Sequence, residues 1–301
     1  MKCITVFDRY YPKNVQGFTK PFKALVVGAL EDLGYTVNYI DSYDSLSVIR
    51  DSLVLCVIAP ELMINNYHCI DSSNYVIWWN LEPFDITGDS ADSKLAARRT
   101  ILDSVTRDKS KYNLDKVVFF NKKQAELYNS EQDFLPIGYH SVLSCDGRYD
   151  KKRLTILFAG YRSSARNVFL NKVNEGLSGA IVHAGHSASC SLESNIQGIY
   201  RHKFGLDCPS KWTEKHIHWH RIVMYAANKA VLLSSSDLSE YGIIDNKHYI
   251  RYSGERNLIK KAKRALKLDR GVIRDMAEAM LSKIQKDFMM ADLFEKLLDD
   301  K

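Results

Sequence analysis

Residues 153–170 read RLTILFAGYRSSARNVFL, and the rest of the chain can be placed around them. The apolar run at 154–158 is short and is bounded sharply by Gly160, which predicts a buried strand. Tyr161-Arg162-Ser163-Ser164-Ala165-Arg166 follows, and then apolar residues at helical spacing, Val168, Phe169 and Val173. A strand, a glycine turn and a helix start aim free backbone N–H groups and the positive end of a helix dipole at an anion. Arg162 and Arg166 add donors that grip phosphate in bidentate fashion. The segment is read as the phosphate site of a nucleotide-linked donor. The alternative is a strand-to-helix turn whose arginines are merely solvated.

Upstream, apolar runs at 3–7, 35–40, 53–59 and 75–79 predict strands, the third stopped by Pro60 and the fourth built on Val76-Ile77-Trp78-Trp79. Residues 8–20 read as a polar loop carrying Gly17. A helix is expected over 21–33, with Thr19 as cap, Pro21 in the first turn and Gly34 just past the end. Another helix is expected over 95–105 and a strand over 117–120. FLPIGYH at 134–140 leads into a charged stretch through Lys152 and marks a domain boundary. Beyond it the alternation restarts, with a strand at 154–158, a helix at 165–175 and a strand at 180–184. An irregular region at 185–214 precedes a helix at 215–228, a strand at 230–234 and helices across 255–298. Strands alternating with helices predict parallel sheets covered on both faces, with ligands at the carboxyl ends of the strands. The fold class is therefore α/β, two Rossmann-like halves facing one cleft.

Composition narrows the function classes. The chain has 301 residues, 46% of them hydrophobic and 26% charged, which suits a soluble globular protein of two domains. A formal charge of +6 permits a polyanionic partner without demanding one. No apolar run approaches the roughly 18 residues of a membrane span, and the start MKCITVFDRYYPK lacks the layout of a signal peptide. Cys3, Cys56, Cys69, Cys145, Cys190 and Cys208 form no CxxC pair, and buried thiols in a reducing cytoplasm fit them better than a disulfide framework.

Several segments resemble the GT-B glycosyltransferases. PIGYH at 136–140 is similar to their interdomain segment, and FAGYRSSARNVFL at 158–170 to their donor-phosphate loop. Residues 220–266, with the late DNKHYIRY strand, resemble their group-1 C-terminal segment. Within the fold, the DNA glucosyltransferases of T-even phages are the nearest likeness. It covers most of the second half and, in layout, the first. The resemblance implies an acceptor-side domain at 1–140, a donor domain at 141–285 and a capping helix at 286–301. It implies that Arg162 and Arg166 hold the donor diphosphate with Ser163 and the backbone beside Gly160, and that Arg221 lies near the same phosphates. Gly17 falls where such enzymes bring backbone close to the donor sugar. Where the family has a glutamate gripping the ribose, three residues after Arg221, this chain has Met224; Asp237 and Glu240 are the nearest acids. The donor expected is a nucleotide sugar, UDP-linked, with no tightly bound cofactor and no metal.

Sugar transfer requires positive charge on the departing phosphate and, with inversion, a carboxylate to take the acceptor's proton. In WWNLEPFD, Glu82 and Asp85 follow a strand directly, and Glu82 is the candidate base. The alternative is a loop carboxylate that caps backbone or pairs with Arg98 or Arg99. HIHWH at 216–220 puts His216 and His220 on one helix face without a third ligand, so an exposed or satisfied histidine cluster is the better reading than a metal site. Trp78 and Trp79 point to opposite faces of their strand, and core packing is the default for both. Residues 258–270, LIKKAKRALKLDR, are amphipathic and basic outward. A solvated helix face is the default reading; the alternative, with Lys151, Lys152 and Arg153, is a basic surface for DNA phosphates.

Three functions are weighed. The first is sugar transfer to hydroxymethylated pyrimidines in double-stranded phage DNA, with modified cytosine the expected base, in the host cytoplasm. The second is transfer to a cell-envelope glycan or protein. The third is a sugar-nucleotide or DNA-binding protein without catalysis, for which Met224 speaks and the arginine loop does not.

Overall fold

The computed structural model describes residues 2–9, 16–84, 92–128, 131–145, 147–160, 164–184, 192–208 and 217–299. The chain divides into two compact units. One comprises Met1–Asn14, Val26–Pro136 and Ala291–Lys301, and the other Val15–Leu25 and Ile137–Met290.

In the first unit, β1 (Lys2–Asp8), β2 (Tyr35–Ile40), β3 (Leu53–Val57), β4 (Tyr75–Asn80) and β5 (Lys116–Phe119) form a parallel sheet in the order β2-β1-β3-β4-β5. A parallel sheet is covered on both faces, so its inner strands are apolar throughout; all five residues of β3 are buried. The helices are α1 (Gln16–Asp32), α2 (Tyr43–Ser47), α3 (Pro60–Asn66), α4 (Ser93–Arg107) and α5 (Lys122–Leu127). Trp78 and Trp79 are both fully buried. Their indole N–H groups donate to the carbonyls of Ile58 and Leu135, at 3.0 and 2.9 Å, so neither ring is left for a ligand. Trp79 also meets Phe294 edge-on, with ring centroids 6.0 Å apart.

Two expectations change here. Helix α1 begins at Gln16, so Gly17 is helical and Pro21 lies inside the helix. Proline marks a first turn because its missing N–H is harmless there, yet a further turn can precede it. Pro60, read as a strand stop, is also the first residue of α3, where its fixed φ suits a helix start.

In the second unit, β6 (Arg153–Ala159), β7 (Ile181–Ala184), β8 (His202–Asp207), β9 (Val231–Ser234) and β10 (Tyr249–Arg251) form a parallel sheet in the order β10-β9-β8-β6-β7. Counted within each half, both sheets have the order 2-1-3-4-5. Helices α6 (Ser164–Gly176), α7 (Leu192–Tyr200), α8 (Trp219–Ala227), α9 (Glu255–Ala265) and α10 (Arg270–Asp287) accompany it, while α11 (Met290–Asp299) belongs from Ala291 onward to the first unit.

The irregular region expected over 185–214 contains α7 and the central strand β8. Its sequence, HKFGLD, is too polar to announce a buried strand, yet all six residues are buried. Lys203 lies over the Tyr149 ring at 4.9 Å. Gly205 admits the Tyr225 ring, to which an added Cβ would come within 2.3 Å. The Tyr225 hydroxyl in turn accepts from Ala159 N and donates to Leu157 O, tying α8 to β6. Lys152 is not on the basic surface where it was expected. It is buried, donates to the carbonyls of His202 and Asn228, and packs over the rings of Tyr200 and Tyr149. Burial pushes its pKa down to about 7. Lys151 and Arg153 remain exposed.

Candidate functional site

With strand order 2-1-3-4-5, the chain leaves β6 to one side for β7 and crosses back to β8 on the other. The crevice at the carboxyl ends of β6 and β8 is therefore the topological switch point, where such sheets bind ligands. Gly160 follows β6, Arg166 lies in the first turn of α6, Asp207 ends β8 and Arg221 lies in the first turn of α8. Two helix N-termini thus arrive at one strand-end pair.

The side chains converge there. Arg166 Nε donates to Cys208 O at 3.1 Å. Arg221 Nη1 donates to Asp207 Oδ1 at 2.8 Å and to Cys208 O at 3.2 Å. Both guanidiniums lie over the Phe158 ring, at 5.9 and 5.6 Å from its centroid. Gly160 is dictated by this packing, because a Cβ would stand 2.9 Å from Arg221 Nη2 and 2.8 Å from Phe158 Cζ. Asp207 is buried and also accepts from Ser234 Oγ at 2.9 Å, while His218 Nδ1 lies 2.9 Å from its Oδ1. Burial alone would raise the Asp207 pKa, but His218 and Arg221 outweigh it and hold the carboxyl well below the usual range. Arg221 is itself buried, and its Nε has no partner among the described residues. Two guanidiniums stacked on one buried ring present donors that suit an anion.

Arg162 and Ser163 lie outside the described residues, as does Asp85. Met224 is buried on α8 and, with Phe22, Ile137, Leu143 and His220, lines a cavity of about 10 Å³, no more than a water's worth of room. Asp237 is exposed; it accepts from Ser239 N and Oγ and pairs with Arg251 at 2.7 Å. The helix expected from residue 215 starts at Trp219, so His218 precedes it and His220 lies within it, their rings 5.9 Å apart. His216 lies outside the described residues. Among the described residues, no group of three or more His, Cys, Asp or Glu side chains is placed to hold a metal ion, and no helix is long and apolar enough to cross a membrane.

In the first unit, Asn80 at the end of β4 shapes the turn that carries Glu82. Its side chain donates to Glu82 O and accepts from Glu82 N, each at 3.1 Å. The Glu82 carboxylate pairs through Oε2 with Arg98 of α4, the partner held open on sequence grounds. Arg98 is buried and also bonds Glu61 Oε1, on α3, at 2.8 Å. Burial raises the Glu82 pKa, and Arg98 only partly opposes it. A carboxylate so held is oriented, and its raised pKa makes it a stronger base than a free carboxylate. Asp8, at the end of β1, is buried and accepts from the Tyr39 hydroxyl.

Asp207 escaped the sequence reading because β8 did; the HIHWH stretch places His218 beside Arg221, with a donor or acceptor contact as one reading. The signal was present: Asp207 ends a short apolar FGL run and is followed by Cys208-Pro209, much as Asp8 ends the first strand.

No family model and no curated protein matches the sequence. Solved structures do. The chain is similar to Anabaena HepE in complex with UDP and glucose, with a TM-score of 0.67 and 8% identity over 100% of this chain and 99% of that one. It is similar to the DNA-modifying β-glucosyltransferase of phage T4, with a TM-score of 0.57 and 14% identity over 98% and 97%. Staphylococcus aureus TarM matches with a TM-score of 0.60 and 11% identity over 85% of this chain, which spans 57% of the TarM chain. These are glycosyltransferases of the GT-B class, and the chain has the GT-B fold.

Proposed function

We propose that the protein is a cytoplasmic, nucleotide-sugar-dependent glycosyltransferase with a UDP-linked donor. The observation that carries this is the buried pair Arg166 and Arg221, packed on Phe158 beside Gly160 at the switch point of a doubly wound sheet. A diphosphate placed there meets two guanidiniums and two helix N-termini, which stabilise the charge that grows as it departs. Such a leaving-group site works without a bound divalent ion. Arg162 and Ser163, next to Gly160 in sequence, join the phosphate contacts in this reading. Glu82 takes the acceptor's proton, with Asp85 beside it. Asp237, already engaged by Ser239 and Arg251, is a weak candidate for the ribose, and Met224 offers it no hydrogen bond.

For the acceptor we favour hydroxymethylated pyrimidines in double-stranded DNA. The likeness to the DNA-modifying β-glucosyltransferase and the formal charge of +6 support it. The target base would be flipped out of the stack to meet the carboxylate. The likeness to TarM, captured with α-GlcNAc-glycerol and UDP, favours a second reading with an envelope glycan as acceptor.

A transfer assay read by mass spectrometry separates them. Purified protein meets a panel of nucleotide sugars with hydroxymethylcytosine DNA, and with plain DNA as control. A mass gain of one sugar on the modified base is the expected result. Donor hydrolysis without transfer to DNA moves the acceptor to the envelope, and no donor turnover with any sugar overturns the enzyme reading.

A further inference from the structure

The donor site contains a histidine that the arginine reading does not use. His218 stands immediately before α8, three residues from Arg221, and its Nδ1 lies 2.9 Å from the same Asp207 oxygen that Arg221 grips at 2.8 Å. Asp207 is buried, and its other oxygen is taken by Ser234. A buried carboxylate with two basic groups on one oxygen is an electrostatic anchor for both. The contact between His218 and Asp207 is one of charge, since His218 Nδ1 is itself buried without a hydrogen-bond partner among the described residues. The neighbouring Arg221 Nε is buried without a partner among the described residues, which independently marks the place of an anion. Among the described residues, the charged and titratable groups around His218 are Asp207 on β8, Arg221 and His220 on α8 and Arg166 on α6.

Resting on the donor reading above, we infer that His218, anchored by Asp207, is a third cationic group on the donor diphosphate and the acid that protonates the leaving phosphate. In the transfer step the C1–O bond to the β-phosphate breaks and its electron pair stays on the phosphate oxygen. The acceptor oxygen bonds C1, and its proton passes to the carboxylate base. His218 gives a ring proton to the departing phosphate oxygen and is reprotonated from solvent once the product leaves. Arg221 and Arg166 remain charged throughout and supply the fixed part of the stabilisation.

UDP alone is the probe, titrated calorimetrically into full-length protein from pH 6 to pH 8. Diphosphate ionisation acts equally on wild type and His218→Gln, so their affinity ratio isolates the histidine. That ratio is expected to fall about tenfold across the window as the imidazole loses its charge. A second measurement avoids the variant altogether: the His218 ring resonance of the wild type, followed by NMR, should titrate about one pH unit higher with UDP bound. UDP binding with a flat ratio and an unmoved resonance overturns the role of His218 while the donor site stands. A wild type that binds no nucleoside diphosphate at all overturns both.

Discussion

The two units wind five parallel strands in the same order, β2-β1-β3-β4-β5 and β7-β6-β8-β9-β10, yet their carboxyl ends carry opposite chemistry. In the second, two buried guanidiniums, Arg166 and Arg221, meet at the Cys208 carbonyl, and Arg221 also pairs with the buried carboxylate Asp207. In the first, one buried guanidinium, Arg98, is shared by two carboxylates, Glu61 and Glu82. The topology builds a crevice in each, and the few residues after each strand set its sign. A cationic end suits a departing diphosphate; an anionic end suits a proton to be removed.

The largest effect should come from Arg221→Ala. It strands the buried Asp207 charge, and losing one partner of such a pair costs about 3–5 kcal/mol. Denaturant unfolding should show that loss and calorimetry should show UDP binding abolished. An unchanged midpoint would mean that Asp207 is satisfied by His218 and Ser234 alone. Glu82→Gln, made in the opposite unit, should leave UDP affinity intact and reduce turnover about 10²- to 10⁴-fold. Full turnover in that variant removes the base assignment and erases the functional half of the contrast.

Gly160→Ala is subtler. Its Cβ must push Arg221 or Phe158 aside, which costs about 1–3 kcal/mol and should weaken UDP binding more than it lowers the melting temperature. The last effect is one of pH and concerns Lys152. Its folded pKa of about 7 lies below the ordinary ammonium value of about 10.4, so between those pH values the unfolded chain holds more protons. Stability therefore climbs as pH rises through that window. Lys152→Met should flatten the climb in melting temperatures recorded from pH 7 to pH 10; a slope as steep as the wild type's would place the titrating group elsewhere.

Much of this was legible in the chain. β2 is observed at 35–40 as read, and the runs around Leu55, Ile77 and Leu157 became strands because continuous apolar residues need no distant information to be recognised. Gly160 marked the carboxyl end of β6. β8 failed because its burial is purchased by partners elsewhere: Tyr149 under Lys203, Tyr225 against Gly205, His218 and Arg221 around Asp207. A six-residue strand with a lysine, a glycine and an aspartate has no periodicity to declare it. Gly17 was misplaced for a related reason, since the local proline rule says where a helix tolerates Pro21, not how far upstream it begins.

By itself, the sequence determined most of the alternation of strands and helices and the type of residue waiting at each strand end, since both rest on local pattern. Tertiary structure alone decided which charges meet. Glu82 finds Arg98 across 16 positions, Asp207 finds Arg221 across 14, and Lys152 finds the carbonyl of Asn228 across 76. A side chain's charge is written in its own residue, but its protonation and orientation belong to the groups that folding brings against it.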